Sequence, residues 1–286
     1  MILENNDTIG IIALSGECDR EKVELSKKFF ETLGYKVKLS KNIFDTNRYL
    51  AGDDNTKVDE LHSFFEDKDI KLILCARGGY GCIRLINKIN YNIIKSNPKP
   101  FCGFSDITAL LLMIYKNTGL VTYHSPMACS DFALNINEKT KNNFFKAICS
   151  NNLEFEGTKI YNNGSAEGIL WGGNLATVVS LCGQDFIPDR HFLFFAEELN
   201  EPVYKIDKMF QQLLNIPQFT KNCKGIILGD FLDVDNESWL QEYFEELSKR
   251  TKLPVAGGFK ITHSEEKITL PVGKPAKLED KKLYIG

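Results

Sequence analysis

The pattern of apolar and polar residues predicts alternating strands and helices along the first half of the chain. Apolar runs that predict strands cover residues 8–14, 35–39, 71–76 and 100–104. Segments with helical spacing of apolar residues cover residues 19–33, 56–65, 106–117 and 138–148. In the first helix we expect Leu25, Phe29 and Leu33 to form the buried face, and Gly34 to end it. This alternation predicts a mostly parallel sheet with flanking helices.

The second half repeats these signals after a polar interruption. It predicts a strand at residues 192–196, helices at residues 203–214 and 239–247, and short strands within residues 268–285. Residues 151–165 are polar and rich in Asn and Gly, and we assign them to a linker. We therefore predict an α/β fold with an N-terminal domain of residues 1–150 and a second, smaller α/β domain of residues 166–286.

The composition is that of a globular protein and excludes several classes of partner. With 286 residues, 43% of them apolar, the chain is long enough for two unequal domains. A formal net charge of -3 offers no general attraction to nucleic acid or anionic lipid, so we expect neither as a partner. The first residues lack the features of a signal peptide, and no apolar stretch could span a bilayer. These features predict a cytoplasmic protein.

Eight cysteines are scattered along the chain without CxxC pairs. In a reducing compartment we expect them to be small buried hydrophobic residues, without disulfides or a zinc cluster. No HExxH motif occurs, and no histidines and carboxylates have the spacing of metal ligands. We therefore predict neither a metal site nor a cofactor.

Ser105 stands at the joint between a predicted strand and a predicted helix. There its hydroxyl would lie near free backbone N–H groups, which favour developing negative charge and suit a nucleophile. The same position suits a helix N-cap, a purely structural role that the local sequence alone favours. Gly103 precedes the serine by two residues but Ile107 follows it, so the segment is not the GxSxG elbow of α/β-hydrolases.

A nucleophilic serine needs a base, and the chain contains four histidines: His62, His124, His191 and His263. His62 lies within a predicted helix and His191 just ahead of a strand, so ordinary structural or surface roles suit both. His124 and His263 lie at apparent strand ends, where loops carry function. Each of these two is also compatible with an ordinary surface histidine, so the residues alone leave the base open.

The third member of a serine triad would be a carboxylate that orients the imidazole. Glu197 and Glu198 directly follow the predicted strand of residues 192–196. Successive strand residues face opposite sides of a sheet, so only one of the two can point at the base. The alternative is that both are solvated loop charges.

Five segments together resemble the LD-carboxypeptidase family, whose relatives include the microcin C immunity peptidases. They are ARGGYG at residues 76–81, GFSDIT at 103–108, EGILWGGNL at 167–175, Glu197 with NEPVY at 200–204, and His263 with TLPVG at 269–273. The segments occur in the order of the family and extend over nearly the whole chain.

The resemblance implies a serine peptidase with three catalytic residues. Ser105 would be the nucleophile, His263 the general base, and Glu197 the carboxylate that orients it. It also implies an oxyanion hole of backbone N–H groups, which we assign to Asp106 and Gly79. The expected reaction hydrolyses the amide between an L-centre of meso-diaminopimelate and terminal D-alanine in murein tetrapeptides, in cell-wall recycling.

Arg77 is a candidate for binding the terminal carboxylate of the substrate, because a guanidinium can grip two oxygens. A structural hydrogen bond to loop carbonyls is the alternative. Two departures from the family pattern concern nearby loops. Ser125 replaces an expected glycine, and Ile261 and Thr262 replace a Phe-Gly pair before His263. The second departure puts the geometry of the His263 loop in question.

Two other functions stay open at this level. One is an immunity-type peptidase that acts on peptidyl or aminoacyl nucleotide analogues. The other is a non-catalytic module that binds a nucleotide or sugar phosphate through the glycine-rich turn at residues 77–81. The absence of a GxGxxG motif argues against that module. A small murein peptide is the expected partner, and a homodimer is a further expectation.

Overall fold

A computed structural model describes residues 3–150 and 152–286. The chain divides into two compact units. The first unit comprises Met1–Cys149 with Thr269–Pro271, and the second comprises Ser150–Ile268 with Val272–Gly286. Each unit contains a sheet with flanking helices. The predicted α/β class with a second, smaller domain is confirmed.

The first unit alternates strands and helices as the sequence predicts. Its strands are β1 (Thr8–Ile12), β2 (Lys36–Leu39), β3 (Ile70–Cys75), β4 (Phe101–Gly103) and β5 (Thr122–His124). Its helices are α1 (Arg20–Thr32), α2 (Asp54–Glu66), α3 (Tyr91–Ser96), α4 (Thr108–Thr118) and α5 (Glu138–Cys149). Gly119, with a φ of 75°, ends α4 in the left-handed conformation that glycine adopts without strain.

Helix α1 begins where its sequence provides a cap, but its buried face differs from the predicted one. The Asp19 carboxylate accepts a hydrogen bond from the Lys22 backbone N–H at 3.0 Å and so fixes the first turn. Val23 and Phe30 are buried, whereas Leu25 and Leu33 are exposed. The prediction that Leu25 and Leu33 face the core is therefore wrong. The core-facing stripe is rotated, because residues 23, 26 and 30 share one side of the helix.

The order of strands in the first sheet places several loops at one edge. The order is β5, β4, β3, β1, β2, and all of these neighbours pair in parallel. The chain leaves β1 toward β2 on one side and returns to β3 on the other, so the loops after β1 and β3 diverge at a topological switch point. Ligands of open α/β sheets bind at the carboxyl edge beside such a point. The segments that follow β1, β3 and β4 all lie at this edge.

The second unit combines parallel and antiparallel pairing in one sheet. Its strands are β6 (Leu153–Glu156), β7 (Lys159–Asn162), β8 (Ser165–Asn174), β9 (Phe192–Leu199), β10 (Cys223–Leu232), β11 (Val255–Gly257), β13 (Pro275–Glu279) and β14 (Lys282–Ile285). Its helices are α6 (Leu175–Ser180), α7 (Val203–Leu214), α8 (Pro217–Asn222) and α9 (Glu237–Thr251). Strands β8, β9, β10 and β11 pair in parallel, so their carboxyl ends share one edge.

Two segments differ from the predicted division of the chain. The described residues of the predicted linker 151–165 contribute β6 and β7, which pair with β14 and β11. Polar strands at a sheet margin need no apolar run, which is why periodicity did not reveal them. Strand β12 (Leu270–Val272) adds to the first sheet beside β5, so the chain returns to that sheet near its end.

Among residues 3–150 and 152–286, no helix combines the length and the apolar character needed to cross a membrane. Five of the cysteines are buried, as expected for small hydrophobic residues, and they are Cys75, Cys82, Cys102, Cys129 and Cys223. Cys149 is exposed.

Candidate active site

Ser105 follows β4 at the carboxyl edge of the first sheet and is partly exposed. It begins a single 3₁₀ turn, Ser105–Ile107, that leads into α4. The residues that cap the turn and the helix are Phe104 and Ile107, and neither cap uses a side-chain hydrogen bond. Ser105 is therefore not the helix N-cap that the local sequence favours.

The backbone of Ser105 adopts an unusual conformation. Its φ is 61°, in the left-handed region that residues with a Cβ rarely enter. Such a conformation costs about 1–3 kcal/mol and persists only where the surrounding structure enforces it. Residues with this kind of strain cluster at active sites, and a sharp turn between a strand and a helix is how α/β-hydrolases present a serine.

The glycine-rich turn after β3 lies against Ser105, and the glycine in contact is Gly78. A Cβ built on Gly78 would lie 2.9 Å from the Ser105 Cβ and 3.0 Å from its Oγ. A Cβ built on Gly79, by contrast, would face the Gly16 backbone at 3.4 Å. Gly79 has a φ of 123°, which a side chain would strain. The assignment of the Gly79 N–H to the oxyanion hole stays a prediction, and Gly78 is a neighbour of Ser105 that the sequence did not single out.

Replacing Gly78 by alanine is expected to lower kcat by about 100-fold, because the new Cβ would displace the Ser105 hydroxyl, and a shift of about 1 Å can cost that much. The measurement is steady-state kinetics on folded protein. The matched control is Gly119→Ala, which has no atom within 4 Å of an added Cβ. It should lose stability through its positive φ but keep its kcat. Equal kcat values for both variants would contradict the expected collision.

Asp106, the residue after the serine, has a buried carboxylate. Its Oδ2 accepts a hydrogen bond from the Ser15 hydroxyl at 2.6 Å and another from the Cys82 backbone N–H at 2.9 Å. Ser15 follows β1, and Cys82 directly follows the glycine-rich turn. The side chain of Asp106 thus connects three loops of the first unit, a role separate from the one predicted for its backbone N–H.

Arg77 is exposed, and its Nη1 donates a hydrogen bond to the Glu17 carbonyl at 3.0 Å. This contact is the structural alternative considered for Arg77 in the sequence. A guanidinium has five N–H donors, so one hydrogen bond to a carbonyl leaves four donors for other acceptors. Substrate binding by Arg77 therefore stays a prediction.

Glu197 and His263 form a hydrogen-bonded pair in the second unit. The Nδ1 of His263 lies 2.8 Å from Oε2 of Glu197. The Glu197 side chain is fully buried, and that of His263 is 17% exposed. A carboxylate on Nδ1 holds that nitrogen as the donor, so Nε2 carries the lone pair that can accept a proton. The pair has the geometry of an orienting carboxylate with its general base.

Glu198 is also buried, but its carboxylate forms hydrogen bonds with other residues. Its Oε1 accepts from Asn174 Nδ2 at 2.8 Å and its Oε2 from the Ala176 backbone N–H at 2.7 Å. Burial raises the pKa of the Glu198 carboxyl, and these hydrogen bonds oppose that rise. Both glutamates are therefore buried and hydrogen-bonded, and neither is a solvated loop charge. Because successive residues of β9 face opposite sides of the sheet, the two side chains have different partners.

The loop that carries His263 is fixed on both sides of the histidine. The Ile261 carbonyl accepts from the Asp230 backbone N–H at 2.9 Å, and Gly229 leaves room for Ile261. Thr262 is buried, and its Oγ1 accepts from the Ser264 backbone N–H at 3.0 Å. The two residues that depart from the family pattern thus anchor a loop in which His263 still reaches Glu197.

The other three histidines have different surroundings. The His62 Nε2 accepts a hydrogen bond from the Asn90 backbone N–H at 2.9 Å, and His191 is exposed. His124 is buried in the first unit, where its ring meets that of Phe104 with centroids 5.9 Å apart.

Replacing His124 by alanine is expected to destabilise the first unit, because it empties space beside Phe104 in the core. A loss of about 2–4 kcal/mol is typical of such truncations. The kcat of the folded protein should change by less than about tenfold, since the proposed base is His263. Thermal unfolding and kinetics together check this. An inactive but fully stable variant would show that His124 is the base.

Comparisons with known proteins identify the family of the chain. Models for the N-terminal and C-terminal domains of LD-carboxypeptidases match residues 9–125 and 167–278. The chain is 36% identical to a probable murein peptide carboxypeptidase of Bacillus subtilis, over 96% of this chain and 90% of the relative. These matches define a serine-type peptidase built from two α/β domains. The chain belongs to the LD-carboxypeptidase family, which confirms the resemblance seen in the sequence.

Solved structures share the fold over almost the entire chain. An MccF-like protein from Bacillus anthracis superposes with a TM-score of 0.92 at 26% identity, covering 99% of this chain and 98% of that one. A muramoyltetrapeptide carboxypeptidase from Oxalobacter formigenes superposes with a TM-score of 0.90 at 27% identity, covering 98% of both chains.

Proposed function

We propose that the protein is a serine LD-carboxypeptidase that releases terminal D-alanine from murein tetrapeptides. The observation that carries the proposal is the 2.8 Å hydrogen bond between His263 and the fully buried Glu197. A buried carboxylate behind an imidazole is what a general base requires. The left-handed Ser105 supports the assignment of a nucleophile.

The proposed reaction uses the three candidate catalytic residues. The Ser105 Oγ attacks the carbonyl carbon of the L-centre of meso-diaminopimelate, and its proton passes to Nε2 of His263. The oxyanion accepts hydrogen bonds from the backbone N–H groups of Asp106 and Gly79. His263 then protonates the leaving nitrogen of D-alanine. Water, deprotonated by the same imidazole, hydrolyses the acyl-enzyme and restores the serine.

The names of two relatives support this substrate, since one is a probable murein peptide carboxypeptidase and the other a muramoyltetrapeptide carboxypeptidase. A cytoplasmic enzyme of this kind would act on murein peptides returned from the cell wall. The substrate, the recycling role and the compartment are parts of the proposal.

The test is to incubate the protein with the tetrapeptide and to follow D-alanine and the tripeptide product by mass spectrometry. A pentapeptide that ends in D-alanyl-D-alanine is the matched control, because its terminal amide joins two D-centres. The proposal expects release from the tetrapeptide and little from the pentapeptide. Cleavage of the pentapeptide alone, or of neither peptide, would overturn it.

A second candidate is an immunity-type peptidase that acts on aminoacyl nucleotide analogues, since one relative is named a microcin C7 self-immunity protein. An exposed aromatic ring that can stack on a base favours this candidate. Tyr49 and Tyr80 are both exposed, with ring centroids 5.8 Å apart, and Tyr80 belongs to the glycine-rich turn. Base stacking on an aromatic ring contributes about 1–3 kcal/mol.

An aspartyl sulfamoyl adenosine added to the tetrapeptide assay separates the two candidates. Faster hydrolysis of the nucleotide analogue, with a loss confined to that substrate in Tyr80→Ala, would establish the second candidate. Faster D-alanine release that Tyr80→Ala leaves unchanged would exclude it.

Chelation is expected to leave the activity unchanged. Within the part of the chain that the structure describes, no group of three or more His, Cys, Asp or Glu residues could hold a metal ion. The proposed mechanism activates its nucleophile through His263 and needs no Lewis acid. The measurement is D-alanine release after dialysis against EDTA. Loss of activity that zinc restores would contradict the mechanism.

A further inference from the structure

The carboxylate of Asp106 joins the three loops at the carboxyl edge of the first sheet through one oxygen. Asp106 is 7% exposed, and its Oδ2 accepts hydrogen bonds from the Ser15 hydroxyl and the Cys82 backbone N–H. Ser15 itself is fully buried. The 2.6 Å distance from the Ser15 Oγ is typical of a short O–H···O hydrogen bond.

The same loops also contact one another directly. The Gly16 backbone N–H donates to the Gly78 carbonyl at 3.2 Å, and Gly78 lies against Ser105. The Ser15 carbonyl accepts from the Ala51 backbone N–H at 2.9 Å, which holds the loop after β1 in place from its other side. Ser105, with its strained φ, therefore sits in a turn whose position relative to the glycine-rich turn is fixed through Asp106.

We propose that the Asp106 side chain, together with Ser15, is a positioning element that sets the spacing between the Ser105 turn and the glycine-rich turn. We call these two side chains the Asp106 clamp. The inference rests on the proposed function, because those two turns supply the proposed N–H donors of the oxyanion hole. A preorganised hole works only if its donors are already aimed at the position the oxyanion will occupy. The clamp supplies that alignment without touching the substrate.

The first test removes the Ser15 hydroxyl. Ser15→Ala should lower kcat by about 10- to 100-fold with KM nearly unchanged, as expected when an interaction matters only in the transition state. Thr122→Val is the matched control, since the Thr122 hydroxyl is equally buried and donates to the Leu111 carbonyl at 3.0 Å in the same unit. It should lose comparable stability and keep its kcat. Equal kinetic effects in both variants would overturn the clamp.

A double-mutant cycle then asks whether Ser15 acts through Asp106. Asp106→Asn replaces the carboxylate that accepts the Ser15 hydrogen bond. Ser15→Ala should therefore have little further effect on kcat in that background. Independent, multiplying losses would mean that the two residues do not act together, and would also overturn the clamp.

A fluorophosphonate that labels reactive serines tests the Asp106 clamp without the proposed peptide substrate. The rate at which the reagent labels Ser105 should fall by about 10- to 100-fold in Ser15→Ala and not in Thr122→Val. Wild-type labelling without D-alanine release would refute the proposed substrate alone. Labelling rates that are equal in Ser15→Ala and the wild type would refute the clamp alone. A wild-type protein that is never labelled at Ser105 would refute both.

Discussion

Replacing Ser105 by alanine is expected to abolish D-alanine release while the protein stays folded. Losing a triad nucleophile lowers kcat by about 10⁴- to 10⁶-fold, because the covalent route disappears and only binding and the oxyanion hole remain. The structure gives the serine no capping hydrogen bond, so its removal should cost little stability. Product release by mass spectrometry and a thermal unfolding curve check both parts.

Ser105→Gly tests whether the backbone of Ser105 is strained. Glycine adopts a φ of 61° without steric cost, although it also gains entropy in the unfolded chain. The glycine variant should therefore be as inactive as the alanine variant but more stable by about 1 kcal/mol. Near-normal activity in either variant would remove Ser105 from the mechanism. A glycine variant less stable than the alanine variant would argue against strain at this position.

Glu197→Gln is expected to lower kcat by about 10²- to 10⁴-fold, whereas Glu198→Gln should lower it far less. The glutamine keeps the shape of Glu197 but removes the charge that stabilises the imidazolium of His263 and fixes its tautomer. Glu198 instead accepts hydrogen bonds from Asn174 and the start of α6. Its replacement should affect mainly stability.

The two glutamine variants control for each other, because they are adjacent, equally conservative and both buried. His263→Ala provides the reference for complete loss of the base. The opposite ranking of the two variants would mean that Glu198 orients the histidine. Equally mild effects would mean that neither glutamate does so, and the Glu197–His263 contact would then be structural.

Much of the fold could be predicted because local signals and tertiary structure agree. The alternation of strands and helices is a direct consequence of burying one face of each element, and Asp19 and Gly119 mark helix ends by their own chemistry. The rotated face of α1 was not predictable, because apolar residues occur on two sides of that helix. The strands β6 and β7 were missed because their residues are largely polar or exposed.

The candidate site was also predictable only in part. Residue type and motif order made Ser105, Glu197 and His263 the candidate catalytic residues, and the structure pairs two of them, Glu197 and His263. These signals could not reveal that Ser105 has a positive φ, that Gly78 lies against it, or that Ser15 binds Asp106 from 91 residues away. Those contacts exist only once parallel strands bring distant loops to one edge.

In the proposed mechanism, Ser105 forms a covalent acyl-enzyme with the peptide substrate. Rapid acid quenching of the protein with tetrapeptide, followed by digestion and mass spectrometry, detects that intermediate. We expect the peptide containing Ser105 to gain the mass of the tripeptide acyl group, the same peptide of His263→Ala protein not to gain it, and the D-alanine released in the first turnover to match the acyl group formed. Tetrapeptide consumed without modification of Ser105, or an acyl group on another residue, would contradict the mechanism.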